Sequence, residues 1–264
     1  METKINRRKL VALLTGAAGV GAAATVAAHA DQLGMKNDPA EVLQKVPWPY
    51  KPLDPEKTAQ RGFDGYYKSE CMYGAFEAIV GSVAEQLGSP YKNFPFSMMK
   101  YGGGGVHGWA TVCGSVNGAS AAIQLLSPEP DALIDSLFEW YEQTPLPDVH
   151  PAAAKFPQMR SVSGSPLCHQ SIAHWTKVSG KPAYCPERSE RCGCLTASVA
   201  RYAAIMLNKQ MAGKPIVALG LPKRTRGCMS CHEKDGPVQD IRTKMECGGC
   251  HAPEMSKHPP NSQG

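Results

Sequence analysis

The sequence predicts a mainly α-helical protein, with a helical-bundle core and a small C-terminal segment organised by two c-type haem motifs. Three observations predict it. Apolar residues in the middle of the chain recur at spacings of three and four, the period of one helix face. Little of the chain alternates apolar with polar residues as a half-buried strand would. Cys-x-x-Cys-His occurs twice near the C-terminus, as Cys228-Met-Ser-Cys231-His232 and Cys247-Gly-Gly-Cys250-His251.

Residues 1–30 read as a targeting peptide. Asn6-Arg7-Arg8-Lys9-Leu10 has the form of a twin-arginine n-region, and Ala28-His29-Ala30 fits a small-x-small cleavage rule. The stretch between them barely reaches the ~20 residues of a membrane span and is rich in Ala and Gly, so no stable membrane anchor is expected. This places the mature chain in the periplasm. That route moves folded proteins, so it hints at a cofactor inserted before export. Residues 31–68 hold Pro47, Pro49, Pro52 and Pro55 and little periodicity, and are expected to form an extended arm on the surface or on a partner subunit.

From Glu70 the pattern becomes helical. Met72, Ala75, Phe76, Ile79, Val83 and Leu87 keep helical register until Gly88 and Pro90. The run Gly102 to Gly105 lacks a following Gly-Lys-Ser/Thr, so it is read as a close backbone approach rather than a phosphate loop. Thr111 to Leu126 is a small-residue helix suited to tight packing. Ser127-Pro128-Glu129 reads as a cap for a helix carrying Leu133, Leu137 and Tyr141 on one face. Residues 144–164 form a Pro-broken loop. Ser165-Pro166 caps another helix through Trp175, and Glu187 to Asn208 is the last long one. The domains expected are thus the helical Cys-rich core at 69–210 and a C-terminal segment at 211–264, the latter too short to fold without cofactors.

In the Cys-x-x-Cys-His signature, two thiols form thioethers to haem vinyl groups and the imidazole takes an axial position on iron. Cys228, Cys231, Cys247 and Cys250 are therefore the candidate attachment sites for two haems c per subunit, with His232 and His251 the proximal iron ligands. The same cysteines also read C-x2-C-x15-C-x2-C, a spacing that suits zinc. With 8 His in 264 residues, chance would place His after both motifs only about once in a thousand trials, which favours haem.

Six further cysteines remain: Cys71, Cys113, Cys168, Cys185, Cys192 and Cys194. Three disulfides are one reading for an exported chain. However, Cys71, Cys113, Cys168 and Cys192 or Cys194 fall near predicted helix starts, where the helix dipole favours thiolate. Cys192 and Cys194 lie about 200° apart around a helix, so only one of them can face a shared metal.

Cys71-Met-Tyr-Gly-Ala-Phe, Gly102-Gly-Gly-Gly…Cys113-Gly-Ser-Val-Asn-Gly-Ala, Ser165-Pro-Leu-Cys168-His169 and Glu190-Arg-Cys192-Gly-Cys194-Leu-Thr resemble the redox-associated C-GCAxxG-C-C proteins over about residues 66–208. With two haem motifs and the export signal, the chain is similar to the split-Soret cytochromes c. The resemblance implies a homodimer with bis-histidinyl haems crowded near the subunit interface, sixth ligands from the partner, and an iron–sulfur cluster in the helical part. It makes Cys113, Cys168 and Cys192 or Cys194 the leading cluster ligands, with Cys71 as a further candidate; Cys185 has no counterpart.

His258, His174 and His107 are the distal haem-ligand candidates: His258 lies within the haem segment, His174 on the helix of Cys168, and His107 after the glycine run. Met229, Met245 and Met255 offer thioether ligation instead. The 28 basic and 23 acidic residues fall to 24 and 22 without the targeting peptide, a net of +2, and no run of like charges points to nucleic acid. No nucleophile–base pair or paired-carboxylate pattern stands out, so no catalytic residue is assigned. The sequence thus reads as an electron carrier of anaerobic respiration working with redox partner proteins. A haem-dependent reductase of nitrite or peroxide is the alternative, and needs an open iron site.

Overall fold

The computed structural model describes residues 46–255, with side chains through 251. The targeting peptide, residues 31–45, His258 and the Met255 side chain lie outside the described residues. Among the described residues, seven helices carry the fold: α1 (Pro55–Leu87), α2 (Gly114–Leu126), α3 (Pro130–Gln143), α4 (Cys168–Ser179), α5 (Pro186–Met211), α6 (Lys223–His232) and α7 (Gly248–Met255). Short 3-10 turns at Tyr91–Asn93 and Phe96–Gly102 join α1 to the glycine loop. Among the described residues, extended pairing is limited to two isolated bridges, Val112 with Leu167 and Leu146 with Ser161. The architecture is mainly helical, as the periodicity predicts.

Residues 46–54 are extended and lie on the core of their own chain. The Trp48 amide donates to Leu125 O at 2.7 Å, and Tyr50 Oη donates to Asn208 Oδ1 at 2.7 Å. Helix begins at Pro55, where an extended arm was expected through 68. Asp54 explains the start: its Oδ1 accepts from the amides of Glu56 and Lys57, and Pro55 occupies the first turn, where its missing N–H costs nothing. Thr58, Ala59, Gly62, Phe63 and Tyr66 then bury one face. The cluster of prolines masks this pattern in the sequence.

α1 is broken at Ser69 and Glu70, and Glu70 adopts φ 71°, a left-handed value uncommon for a residue with a Cβ. The two halves fold back on each other. Gly65 and Gly74 face across the break, where a Cβ on Gly65 would come within 2.8 Å of Gly74 Cα. Arg61 on the first half pairs with Glu77 on the second at 2.6 Å. The break starts the second half at Cys71, so that thiol sits at a helix N-terminus.

The remaining boundaries shift by a few residues. α3 starts at Pro130, two residues later than the Ser127-Pro128-Glu129 reading placed it. Ser127 Oγ accepts from the Glu129 amide at 3.1 Å and donates to Gln210 Oε1 at 2.8 Å, so it caps the turn before the helix and ties it to α5. α5 starts at Pro186 behind Cys185, whose Sγ accepts from the Arg188 amide at 3.4 Å.

The core lies where α1, α2, α3 and α5 meet. Phe76, Ile79, Ile123, Leu137 and Leu207 are each at most 1% exposed. Each such side chain contributes roughly 1.5–3 kcal/mol on burial. The small-residue face of α2 lets α1 approach closely. A Cβ on Gly118 would sit 2.3 Å from Met72 O, a backbone atom with no flexible group to move aside. Gly118→Ala is therefore expected to destabilise the fold by about 1–3 kcal/mol, read as a lowered midpoint in thermal or denaturant unfolding. An unchanged midpoint would mean that α1 and α2 pack more loosely than this.

Candidate metal centre and paired Cys-x-x-Cys-His motifs

Four of the six core cysteines face one small cavity of about 50 Å³, lined by Cys71, Cys113, Cys168 and Cys192 together with Tyr66, Glu70, Arg188 and Arg191. Each thiol comes from a different helix. Cys71 follows the break in α1, Cys113 is the N-cap of α2, Cys168 opens α4, and Cys192 lies in the second turn of α5. Backbone pairing fixes two of them. The Cys113 amide donates to Pro166 O at 2.8 Å, and the Cys168 amide donates to Thr111 O at 2.7 Å. The loops entering α2 and α4 are thereby clamped to each other.

The Cys192/Cys194 doublet divides as helix geometry requires. On α5, residues 188, 191, 192 and 195 share the face that lines the cavity. Cys194 is absent from that lining and packs instead with Ala59, Phe63 and Ala197. Cys185 serves as the cap of α5. All six cysteines carry free thiols.

Helix starts were expected to lower the thiol pKa values. For Cys71 and Cys168 the balance goes the other way. Burial pushes Cys71 well above the ordinary thiol range, with Cys113 and Cys192 adding to it. Cys168 is pushed up to about 12, by burial first and then by Cys113 and Cys192. The half-charge of a helix end is smaller than the desolvation and mutual repulsion of several thiolates in one cavity. Cys194 is raised to about 12, chiefly by burial and then by Glu190.

Two arginines on the cavity lining, and Tyr141 behind it, are groups that the sequence reading did not single out. Arg191 is 5% exposed, and its Nη2 donates to Ser171 Oγ at 3.0 Å while its Nε is buried without a partner. Burial opposes the Arg188 charge, but Cys192, Tyr66 and Cys168 more than offset it and hold the guanidinium above its ordinary range. Tyr141, fully buried beside Cys113 and Arg191, has an unpartnered Oη and a pKa pushed well up by burial and by Cys113. The spacing of Arg188, Arg191 and Cys192 at i, i+3 and i+4 is the sequence signal that could have found the two arginines.

The two Cys-x-x-Cys-His motifs sit side by side on helices. The first closes α6, with His232 its last residue, and the second runs into α7. The Cys247 thiol is raised by burial and by the adjacent Cys228 of the other motif. His232 Nδ1 and Asp240 Oδ1 are 2.7 Å apart, and this contact holds the Asp240 carboxyl below its usual range. His251 is exposed. Among the described residues, no group of three or more His, Cys, Asp or Glu side chains is arranged to hold a metal ion, which covers the four core cysteines and the C-x2-C-x15-C-x2-C set alike.

His107 stands exposed on the glycine loop at φ 50°, next to Trp109, which is 80% exposed. His174 lies on the outer side of α4, its Nδ1 3.1 Å from Val162 O. Neither lies beside a Cys-x-x-Cys-His motif by any hydrogen bond.

A larger cavity of about 380 Å³ lies between α3 and the C-terminal segment, lined among others by Phe138, Glu139, Glu142 and Met245. The Lys244–Asp135 ion pair at 2.6 Å and the Gly220 amide donating to Glu139 Oε2 at 2.8 Å hold the segment there.

A helical core that gathers one cysteine from each of four helices is the pattern of one class of protein. Residues 73–206 match the family described as "Putative redox-active protein (C_GCAxxG_C_C)". The chain is also 35% identical over 264 residues to "Split-Soret cytochrome c" from Desulfovibrio desulfuricans strain ATCC 27774, covering 94% of this chain and 95% of that one. A solved structure described as "A novel iron centre in the split-Soret cytochrome c from Desulfovibrio desulfuricans ATCC 27774" superposes with a TM-score of 0.72 at 36% identity, covering 81% of this chain and 95% of that one. The chain belongs to the split-Soret cytochrome c family, within the C_GCAxxG_C_C proteins. Among the described residues, no helix is long and apolar enough to cross a membrane.

Glu142, on the larger cavity, has its carboxyl raised from 4.5 to about 7 by burial, then by Glu246 and Glu139. Its folded-state pKa lies above its unfolded one. Its stabilising contribution is therefore full below the unfolded value and is lost as pH rises through the folded value of about 7. Thermal melts of the wild type should fall between about pH 5 and about pH 7.5, with a flatter profile for Glu142→Gln. Parallel profiles for the two proteins would contradict the assignment.

Proposed function

We propose that the protein is an exported electron-transfer protein of the periplasm, with two covalently bound haems c and an iron–sulfur centre in each subunit. The observation that carries the reading is the convergence of Cys71, Cys113, Cys168 and Cys192 on one buried cavity that also contains two arginines. Haem iron and an iron–sulfur centre each supply a one-electron couple when bound. The chain's own residues do the rest. The donor set fits such a centre. Four thiols line a cavity, and the buried Arg191 Nε beside them lacks an acceptor and calls for an anionic one. Raised thiol pKa values at Cys71 and Cys168 mean that metal uptake must release protons.

Cys228 and Cys231 fit attachment of one haem and Cys247 and Cys250 of the other, with His232 and His251 on iron. Asp240 engages His232 Nδ1, so iron ligation falls to Nε2, and the carboxylate makes the imidazole a more basic ligand. The cavity of about 380 Å³ beside Met245 offers apolar walls next to the second motif. His107 and Trp109, exposed on the glycine loop, can meet a group on another molecule more readily than one on their own chain. This supports a homodimer in which sixth ligands cross between subunits. Redox partner proteins would deliver and remove electrons. The twin-arginine n-region supports export.

The reading is tested by counting haem, iron and acid-labile sulfide in purified protein. Two haems per chain and iron in excess of haem, with sulfide, are expected. Cys192→Ser should lose the excess iron while Cys194→Ser keeps it, because only Cys192 faces the cavity. Haem without further iron, or equal loss in both variants, would contradict the proposed centre. Cyanide or nitrite binding with turnover would point instead to a reductase. In a potentiometric titration, Asp240→Asn should raise one haem midpoint and leave the other in place, since a less basic imidazole favours the oxidised iron less. No movement would remove Asp240 from the account of that haem.

A further inference from the structure

Two guanidinium groups border the cysteine cavity without a carboxylate to neutralise them. Among the described residues, neither Arg188 nor Arg191 pairs with an acidic side chain within 4.0 Å. Glu70 is the one carboxylate of the cavity lining, and it forms no ion pair with them. Glu190, next to Arg191 in sequence, is turned away and accepts from the amides of Lys155 and Phe156, each at 2.7 Å. A buried charge persists in a fold only when something compensates it. Arg191 is the sharper case, because its Nε is both buried and without a partner, on a residue 5% exposed. Tyr141 lies behind Cys113 rather than on the cavity lining, and its fully buried Oη interacts with Cys113 and Ser171 without a well-formed hydrogen bond to either.

We propose that Arg191, supported by Arg188 and Tyr141, is the built-in counter-charge of the centre. Its occupant carries net negative charge as cysteine thiolates around an iron–sulfide core, and these groups stabilise its reduced form. The inference rests on the reading of the cavity as an iron–sulfur centre and adds the sign of its charge and the residues that set its potential. Reduction adds one electron to the centre, supplied in a titration by the added reductant. Nearby positive charge and hydrogen-bond donors favour the more negative state and so raise the midpoint. Arg191 acts through the ligands and is a positioning residue.

The test uses the full-length, haem-loaded protein and its Arg191→Met, Arg191→Lys and Tyr141→Phe variants. Iron and sulfide per chain, the midpoint of the non-haem centre, and the electron paramagnetic resonance spectrum of its reduced form are measured, with the haem midpoints as an internal control of folding. Arg191→Met should lose non-haem iron or lower the midpoint of the centre. Arg191→Lys, which keeps the charge, should retain more iron than Arg191→Met. Tyr141→Phe removes one oxygen and should keep iron while shifting the midpoint down and altering the spectrum. Haem midpoints should stay fixed throughout. The proposal is overturned if Arg191→Met and Tyr141→Phe both match wild type in iron, midpoint and spectrum, or if Arg191→Lys loses iron as fully as Arg191→Met. A wild type with no iron or sulfide beyond its haems sinks the cluster reading itself, a result distinct from any change confined to the variants.

Discussion

The cavity that joins α1, α2, α4 and α5 is the constraint on which the rest of the structure depends. It brings four thiols and two guanidiniums together, with Cys71, Cys113, Cys168 and Arg191 buried and Cys192 and Arg188 partly so. Neither set is stable there alone. Burial first, and then the repulsion of neighbouring thiolates in one small space, holds the Cys71 and Cys168 protons tightly. A buried guanidinium without a counter-charge costs several kcal/mol, and Arg191 has a hydroxyl partner in Ser171 but no carboxylate. On the proposed reading the two sets offset each other when the thiols give up their protons to a metal, which would link the chemistry of the cavity to the stability of its walls.

Close packing positions the four thiols. The break at Ser69–Glu70 places Cys71 at a new helix start, and the facing Gly65 and Gly74 let the halves of α1 fold together behind it. Gly118 lets α2 approach the backbone of Met72, the residue after Cys71, which brings Cys113 to the same end of the bundle. The Cys113–Pro166 and Cys168–Thr111 backbone bonds then set α4. In contrast, the paired motifs at the C-terminus lean on the core through a few polar contacts around α3, as suits a segment organised by what it binds.

Much of this was legible in the chain. Apolar spacing located the second half of α1, α3 and α5, the small residues of α2 announced that helix and its tight packing, and the Ser165-Pro166 cap announced α4. The 200° separation of Cys192 and Cys194 foretold that one would turn away, though only the three-dimensional register shows that it is Cys194. Other features were hidden for physical reasons. The first half of α1 lies under a run of prolines, and only the Asp54 cap reveals it. Thiol acidity could not be read from helix position, because burial dominates and burial is a property of the fold. Arg188 and Arg191 share a helix face with Cys192 by spacing alone, but their lack of a carboxylate partner, and the place of Tyr141 behind Cys113, are visible only once their neighbours are in place. Asp240 lies eight residues past His232 and becomes significant only when the loop returns it to the ring.

The most direct test of the account is an anomalous difference map at the iron absorption edge from crystals of the purified protein. It should show iron between Cys71, Cys113, Cys168 and Cys192, separate from two peaks at His232 and His251. Peaks at the two histidines alone, with the four cysteines thiol or disulfide, would contradict the claim that this cavity is built to hold metal.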